Sequence, residues 1–188
     1  MGLIEKQLAV GGVCIHTGTI PSKTMREAVL HLSGFYDKNF YGVSHSNGDG
    51  PISMADLNFR VQHVVENEVS VIHDQLKRNG VMLAHGTGSF RDAHHIRVQN
   101  GNSVGEFDGD FIVIATGTKP AVNPNVPING RNIISSDQIL TMPQIPRTLI
   151  VVGGGVIGVE YACMFATLGV RVIIVEKRPR LLEFADTE

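Results

Sequence analysis

The chain has 188 residues, 43% of them hydrophobic, which is enough for a buried core in one or two domains. Its formal net charge is -2 and no run of Lys and Arg stands out, so we expect no nucleic-acid partner. The chain lacks 18 consecutive apolar residues and a secretory pattern at its start, so we expect no membrane partner and a cytoplasmic location.

The cysteine and histidine content predicts neither a disulfide framework nor a metal site. Cys14 and Cys163 are the two cysteines, too few for a disulfide scaffold. The eight histidines are scattered, and no Cys/His spacing matches a zinc site. A reducing compartment fits this composition.

The first part of the chain predicts a strand end and two helices. Glu5 closes the short apolar segment "LIE", a possible strand end. Apolar residues three and four apart predict a helix over about 22–37, followed by a polar, glycine-containing loop over 37–51. The same spacing then predicts a long amphipathic helix from Met54 to Leu76 that ends at Asn79-Gly80.

The second part alternates apolar runs with turn residues, which predicts an α/β protein. A proline-rich loop covers 120–132, and a helix is expected over 156–169. The predicted strands are 81–85, 94–99, 111–117 and 170–176, and 148–155 is predicted as a strand that enters a glycine turn.

A glycine turn follows the strand that begins at Thr148. Gly153, Gly155 and Gly158 fit the pattern G-x-G-x-x-G, with a helix, a strand and the acidic Glu176 after it. Gly153 permits a tight turn, Gly155 lets backbone approach a pyrophosphate, and Gly158 lets helix and strand pack closely. The helix N-terminus then offers free N–H groups to phosphates, which predicts a dinucleotide site.

The residues at the end of the last strand leave the choice of coenzyme open. Glu176 can accept hydrogen bonds from ribose hydroxyls and favours NAD. The basic Lys177, Arg178 and Arg180 follow directly and could hold the 2′-phosphate of NADP. They could equally form a solvated cationic loop.

Three segments, "GGVCIHTGTIPSK", "VIATGTKP" and "VVGGGVIGVEYA", occur in an order and at spacings that resemble the pyridine nucleotide-disulfide oxidoreductases. The resemblance covers nearly the whole chain. It implies a two-dinucleotide-binding-domain flavoprotein with an α/β fold. It also implies FAD as cofactor, and NAD(H) and NADP(H) as partners.

One position of the first segment differs from the pattern of the disulfide-reducing members of the family. Disulfide-reducing members of the family carry a second cysteine where this chain has Thr19. A lone thiol at Cys14 cannot cycle between a dithiol and an intramolecular disulfide. The pattern resembles the transhydrogenase branch of the family, in which FAD takes a hydride from one nicotinamide and gives it to another, between NADPH and NAD. A disulfide or quinone reductase of the same family and a nucleotide-binding module without turnover are the alternatives.

The resemblance implies roles for individual residues. Lys23 and Glu160 match catalytic positions that pair near the flavin and the nicotinamide, and the alternative is two surface helix residues. Glu5 would bind the FAD ribose or be an exposed N-terminal acid. Cys14 is either a catalytic thiol near the flavin or a buried small side chain packed in a turn. His16 and Thr19 could touch the flavin or be ordinary turn residues. The complete set of cofactor-binding positions implied is Glu5, Gly11, Gly12, Cys14, Thr19, Lys23, Ala115, Thr116, Gly117, Gly153, Gly155, Gly158, Glu160 and Glu176.

The resemblance further implies a division into domains. Residues 1–146 would be a partial FAD domain without its first strand, glycine turn and helix, and residues 147–188 would begin a nicotinamide domain. The resemblance implies that the C-terminal dimerisation domain would lie outside these 188 residues. We therefore expect an internal fragment, inactive alone, of a parent enzyme that forms a homodimer or higher homo-oligomer.

Overall fold

The structure is a computed structural model that describes residues 1–35, 51–121 and 123–186. It divides into two compact units that are considered separately. The first unit comprises Met1–His16 and Val65–Lys119, and the second comprises Thr17–Val64 and Pro120–Glu188. This division follows compactness, and the division into an FAD part and a nicotinamide part stays a prediction.

The first unit contains a parallel strand pair and an antiparallel sheet. Strand β1 (Gly2–Glu5) pairs in parallel with β2 (Met82–His85), with Glu5 opposite His85 at the carboxyl ends of both strands. A one-turn helix, α1, spans Gly12–His16. Strands β3 (Thr87–Phe90), β4 (His95–Asn100) and β5 (Ser103–Asp108) form a three-stranded antiparallel sheet in that order.

The helices that were predicted early in the chain are present. Helix α2 spans Thr19–Leu32, and α3 spans Met54–Arg78. Gly80 follows α3 with a φ of +61°, the left-handed conformation of a helix C-terminus, as predicted. The first part of α3 belongs to the second unit and the rest to the first.

The second unit holds the strand–glycine turn–helix–strand segment. Strand β6 (Thr148–Val152) and β7 (Arg171–Val175) pair in parallel, and helix α4 (Val156–Thr167) connects them. A short 3-10 helix, Ser136–Thr141, precedes β6. The buried apolar side chains of α4 are Tyr161, Ala162, Met164 and Phe165. The α4 sequence is apolar over most of its surface, and the burial of these four side chains holds the helix in place.

Both predicted boundaries of the helix over 22–37 differ from the structure. Helix α2 begins at Thr19, because a proline is tolerated in a first helical turn, so Pro21 does not delay the start. It ends at Leu32, where the Ser33 N–H donates to Val29 and Gly34 takes a φ of +61°. Ser33 and Gly34 therefore form a turn inside the predicted helix, Phe35 is again helical, and residues 36–50 lie outside the described residues.

The predicted strand over 111–117 is wrong. These residues have no regular structure, and Phe111 and Val113 expose 94% and 86% of their surface. The apolar pattern is that of a buried strand, but a strand also requires a hydrogen-bonding neighbour. No neighbouring strand pairs with this segment in the described part of the chain. Strands β3 and β5, helix α1 and the 3-10 helix were not predicted.

Other expectations concern membranes, metals and sulfur. Within 1–35, 51–121 and 123–186, no helix combines the length and apolarity needed to cross a membrane. The same ranges contain no cluster of three or more His, Cys, Asp or Glu side chains suited to a metal ion. Cys14 and Cys163 are both free and exposed.

Candidate functional site

The glycine turn between β6 and α4 has three glycines with different structural requirements. Gly153 has a φ of +117°, which a residue with a side chain rarely adopts. A Cβ on Gly158 would lie 2.2 Å from the Gly153 carbonyl oxygen. Gly158 therefore allows the helix to pack against the turn, and Gly153 allows the turn itself, as the motif predicts.

Gly155 differs from Gly153 and Gly158 because neither its φ nor its surroundings would exclude a side chain. A Cβ placed on it would meet no atom within 4 Å, and its φ of -79° is an ordinary one. Gly155 is the N-cap of α4 and provides no side-chain cap for the first N–H groups of that 12-residue helix. No acidic side chain lies in the first turn either. This helix N-terminus is thus open to an anionic group such as a pyrophosphate.

Glu176 lies directly after β7, and its carboxylate is fixed by backbone groups. Oε2 accepts a hydrogen bond from the Gly154 N–H at 2.6 Å, and Oε1 accepts one from the Arg178 N–H at 2.9 Å. The N–H groups of Arg178 and Gly154 lower the pKa of Glu176 to about 2, because both donate to its charged form. The carboxylate is therefore ionised and held beside the glycine turn.

Gly154 is a site residue that sequence reasoning missed. A Cβ there would lie 2.6 Å from Leu181 Cδ2 and 3.1 Å from Glu176 Cγ. The Gly154 carbonyl oxygen also accepts a hydrogen bond from the Leu182 N–H at 2.9 Å. Three consecutive glycines were the available signal, but the motif assigns no role to the middle one.

Basic residues after Glu176 form a small ionic network. Arg178 Nε lies 3.3 Å from Glu176 Oε1, and its Nη1 lies 3.2 Å from Glu183 Oε2. Bonds to Glu183 and then to Glu176 raise the pKa of Arg178. The Arg180 guanidinium instead donates to the backbone oxygen of Glu183 at 2.9 Å. Lys177 is exposed.

Lys23 and Glu160 are in contact in the second unit. Lys23 lies on α2, Glu160 on α4, and the Lys23 ammonium donates to Glu160 Oε1. Their side chains are 52% and 32% exposed, so both charges remain accessible. Helix α2 is fixed at its start by Pro21, which is fully buried, and by a hydrogen bond from the Ser22 N–H to the Gly18 oxygen at 3.0 Å. The structure therefore brings together two residues that are 137 positions apart in sequence.

Tyr161, beside Glu160, was not predicted as a site residue. It is only 4% exposed, and among the described residues its hydroxyl has no hydrogen-bond partner. Burial, with the nearby charges of Asp137 and Glu160, raises its pKa to about 12. The phenol is therefore neutral next to the ion pair.

The first unit holds the remaining residues of the "GGVC" segment. Gly11 has a φ of +111°, and a Cβ there would lie 2.5 Å from Ile15 Cγ1, so the turn into α1 requires glycine. Gly12 has a φ of +57° with open space around it. The His16 Nε2 lies 2.9 Å from the Val10 oxygen, which supports the turn-residue interpretation of this histidine. Cys14 is exposed on α1, so its interpretation as a buried small side chain in a packed turn is wrong.

Glu5 resembles Glu176 in its local geometry. It is the last residue of a parallel strand, and its Oε1 accepts a hydrogen bond from the Gln7 N–H at 2.8 Å. In both cases an N–H two residues further along orients a carboxylate at the carboxyl end of a strand. Two acidic strand ends are therefore presented in the same way.

The last predicted group is not organised as expected. Ala115, Thr116 and Gly117 are exposed and lie in the segment without a strand. Thr19, in the second unit, is also exposed, at the start of α2. A cofactor-binding role for these four residues stays a prediction.

The parallel strands, the open helix N-terminus after a glycine turn and the fixed acidic strand end define an α/β protein of the dinucleotide-binding class. The family model for "Pyridine nucleotide-disulphide oxidoreductase" matches residues 2–188. The chain belongs to this family, and the predicted family is thereby confirmed.

Proteins named soluble pyridine nucleotide transhydrogenase are among the similar curated sequences. The one from Mycobacterium bovis (strain BCG / Pasteur 1173P2) is 46% identical over 100% of this chain and 40% of its own length. The one from Photobacterium profundum is 38% identical with the same coverage of both chains. The chain thus spans about 40% of the length of these relatives.

Solved structures of the family have the same fold. LpdA from Mycobacterium tuberculosis superposes with a TM-score of 0.87 and 26% identity, over 99% of this chain and 40% of the other. The Cu(II) complex of the HOCl-induced flavoprotein disulfide reductase RclA from Escherichia coli gives a TM-score of 0.77 and 26% identity. That match covers 98% of this chain and 38% of RclA.

Proposed function

We propose that the chain is part of a flavoenzyme that transfers a hydride between NADPH and NAD. The contact between Lys23 and Glu160 is the observation that carries this proposal. Lys23 belongs to the "GGVC…PSK" segment, and Glu160 belongs to the helix after the glycine turn. Lys23, from the segment expected to contact the flavin, therefore contacts Glu160, from the segment expected to bind the nicotinamide coenzyme. Hydride transfer between the two nucleotides requires such segments to lie close together.

The second unit offers groups that fit a nicotinamide dinucleotide. The open N-terminus of α4 at Gly155 would bind the pyrophosphate, and the ionised Glu176 would accept hydrogen bonds from the adenosine ribose. Both groups are held by backbone contacts that need no ligand, so little reorganisation would accompany binding.

The residues also fit FAD. When bound, FAD would supply the two-electron chemistry that links one nicotinamide to another. Lys23 would place a positive charge where negative charge develops during reduction, and Glu160 would keep the Lys23 ammonium in position. Glu5 would orient the FAD ribose from the end of β1.

The proposal extends to the longer protein. We propose the domain boundaries 1–146 for the FAD part and 147–188 for the start of the nicotinamide part, in a parent homodimer or higher homo-oligomer in the cytoplasm. The names of the curated relatives and the 40% coverage of their length support a longer enzyme of the transhydrogenase type.

A disulfide reductase is the second candidate. RclA, a structural relative, is named a flavoprotein disulfide reductase. Thr19 argues against this activity, because Cys14 then lacks a partner that could form the usual intramolecular disulfide.

A steady-state comparison tests the two candidates. The full-length protein, purified with flavin, would be assayed with NADPH plus thio-NAD and, separately, with NADH plus lipoamide. The proposal expects turnover in the first assay and little in the second. Turnover with lipoamide alone would favour the reductase, and nucleotide binding without flavin absorbance would indicate a binding module.

A further inference from the structure

The ionic network after β7 contains a carboxylate that the dinucleotide motif does not explain. Glu183 lies seven residues beyond Glu176 and contacts the guanidinium of Arg178, with 3.2 Å between Oε2 and Nη1. The Arg180 guanidinium donates to the Glu183 backbone oxygen, which fixes the position of Glu183 in the loop. Arg178 is thus held between two carboxylates, those of Glu176 and Glu183.

The position of Arg178 matters because Glu176 marks where an adenosine ribose would bind. In dinucleotide folds the acid at this strand end meets the ribose 2′-hydroxyl, and an arginine nearby can hold a 2′-phosphate. Arg178 Nε lies 3.3 Å from Glu176 Oε1, so the guanidinium is within reach of the same ribose. Its side chain is 52% exposed and can turn toward a ligand.

The two carboxylates around Arg178 are not equivalent. Backbone N–H groups of Gly154 and Arg178 hold Glu176 at 2.6 and 2.9 Å, so its orientation does not depend on the Arg178 side chain. Glu183 is 45% exposed, and its carboxylate accepts from the Arg178 guanidinium. Glu183 therefore acts on the guanidinium rather than on the turn.

We infer that Glu183 is a specificity-determining residue that weakens binding of the 2′-phosphorylated coenzyme by holding Arg178 in an ion pair. A 2′-phosphate must compete with Glu183 for the guanidinium, whereas a 2′-hydroxyl binds Glu176 and meets no such competition. The Arg178 guanidinium can therefore bind the 2′-phosphate of NADP(H), but only after it releases Glu183. This inference rests on the proposed dinucleotide site and adds the residue that sets its preference.

Coenzyme affinities of the full-length flavoprotein test the inference. Dissociation constants for NADPH and NADH would be measured by titration for the wild type, Glu183→Gln, Arg178→Gln and the double variant. Because the ion pair is exposed, Glu183→Gln should lower the NADPH constant by roughly 2- to 5-fold and leave the NADH constant unchanged. Arg178→Gln should raise the NADPH constant by about 10-fold or more.

The double variant decides whether Glu183 acts through Arg178. In the Arg178→Gln background, Glu183→Gln should have no further effect on NADPH binding. Glu27→Gln is the matched control, because it removes one carboxylate from another exposed Arg–Glu pair, that with Arg26 on α2. It should change neither constant.

Three results would overturn the inference. These are an unchanged NADPH constant in Glu183→Gln, an equal change for both coenzymes, or a Glu183 effect that persists without Arg178. If the wild type binds both coenzymes, any of these results leaves the proposed function intact. If the wild type binds neither coenzyme, the proposed function and this inference both fail.

Discussion

Cys14 is an exposed free thiol on α1, and Thr19 occupies the position of the second cysteine. In the full-length protein we expect Cys14→Ser to retain most transhydrogenase activity, because a hydride relay through flavin needs no thiol. The measurement is the rate with NADPH and thio-NAD. A loss above about 100-fold, or ~2.7 kcal/mol of transition-state stabilisation, would contradict a flavin-only route.

Glu176 is a carboxylate already oriented by two backbone N–H groups. We expect Glu176→Ala to raise the dissociation constant for NADH by roughly 10- to 150-fold, since a charge-assisted hydrogen bond to ribose is lost. The effect on NADPH should be smaller. Titration of the full-length protein with each coenzyme measures both, and an unchanged NADH constant would mean that Glu176 serves only the turn.

The low pKa of Glu176 determines the pH range over which its carboxylate stabilises the fold. Its pKa is lowered from 4.5 to about 2 in the folded chain, so its bonds stabilise the fold fully above about pH 4.5. That contribution is lost as the pH falls from about 4.5 to about 2. Between about pH 8 and about pH 5, the ratio of NADH affinities of wild type and Glu176→Ala should therefore stay constant.

At the scale of elements, two glycines of the turn between β6 and α4 are expected to serve different purposes, Gly158 the stability of the fold and Gly155 the binding of a coenzyme. Gly158→Ala places a Cβ against the Gly153 carbonyl oxygen, and we expect a loss of about 1–3 kcal/mol in the free energy of unfolding. Gly155→Ala meets open space, so we expect it to cost no more than about 1 kcal/mol, which reflects the preference for glycine over alanine at an N-cap. It should instead weaken NADH binding by about tenfold or more, because the Cβ occupies the approach to the helix N-terminus.

Each of these variants is the control for the other. Thermal melting and NADH titration of both full-length proteins measure stability and binding separately. An unchanged NADH dissociation constant in Gly155→Ala would contradict the assignment of the open space at Gly155 to a ligand.

The contact between α2 and α4 leads to a prediction about rate. Lys23→Gln should lower the hydride-transfer rate by about 10- to 100-fold, because a positive charge is removed from the reaction site. Its effect on stability should be below about 1 kcal/mol, since the ion pair is exposed. Arg26→Gln on the same helix removes an equal charge and should leave the rate unchanged. Stopped-flow reduction by NADPH would measure the step, and equal rates in the two variants would remove Lys23 from the mechanism.

The elements that sequence predicted well are those with local signals. β6, α4 and β7 follow from two apolar runs, a glycine turn and the terminal Gly169, all close together in the chain. The contact of Gly154 with Glu176 was missed because its partners are 22 residues apart and the motif does not pair them. The prediction of a strand over 111–117 was wrong because an apolar pattern does not show whether another strand is available to pair with it.

At the scale of the whole molecule, the described sheets leave apolar surface uncovered. β6 and β7 each expose alternate residues, among them Ile150 at 59% and Val152 at 81%. Two-stranded parallel sheets with open edges are marginal and tend to associate. We therefore expect the 188-residue chain to bind FAD poorly and to elute above its monomer mass.

Gel filtration after purification with excess FAD measures both properties. The expected result is a broad, early peak with little retained flavin. A stoichiometric yellow monomer with a cooperative melt would contradict it, and the full-length protein under the same conditions is the control.

The distance between Lys23 and Glu160 along the chain also affects folding during synthesis. The two residues are 137 positions apart, and ribosomes add about 5–20 residues per second. Lys23 therefore leaves the ribosome roughly 7 to 27 seconds before its partner does. During that interval the buried face of α2 has no α4 to pack against. Helix α2 can therefore complete its packing only after α4 has been synthesised.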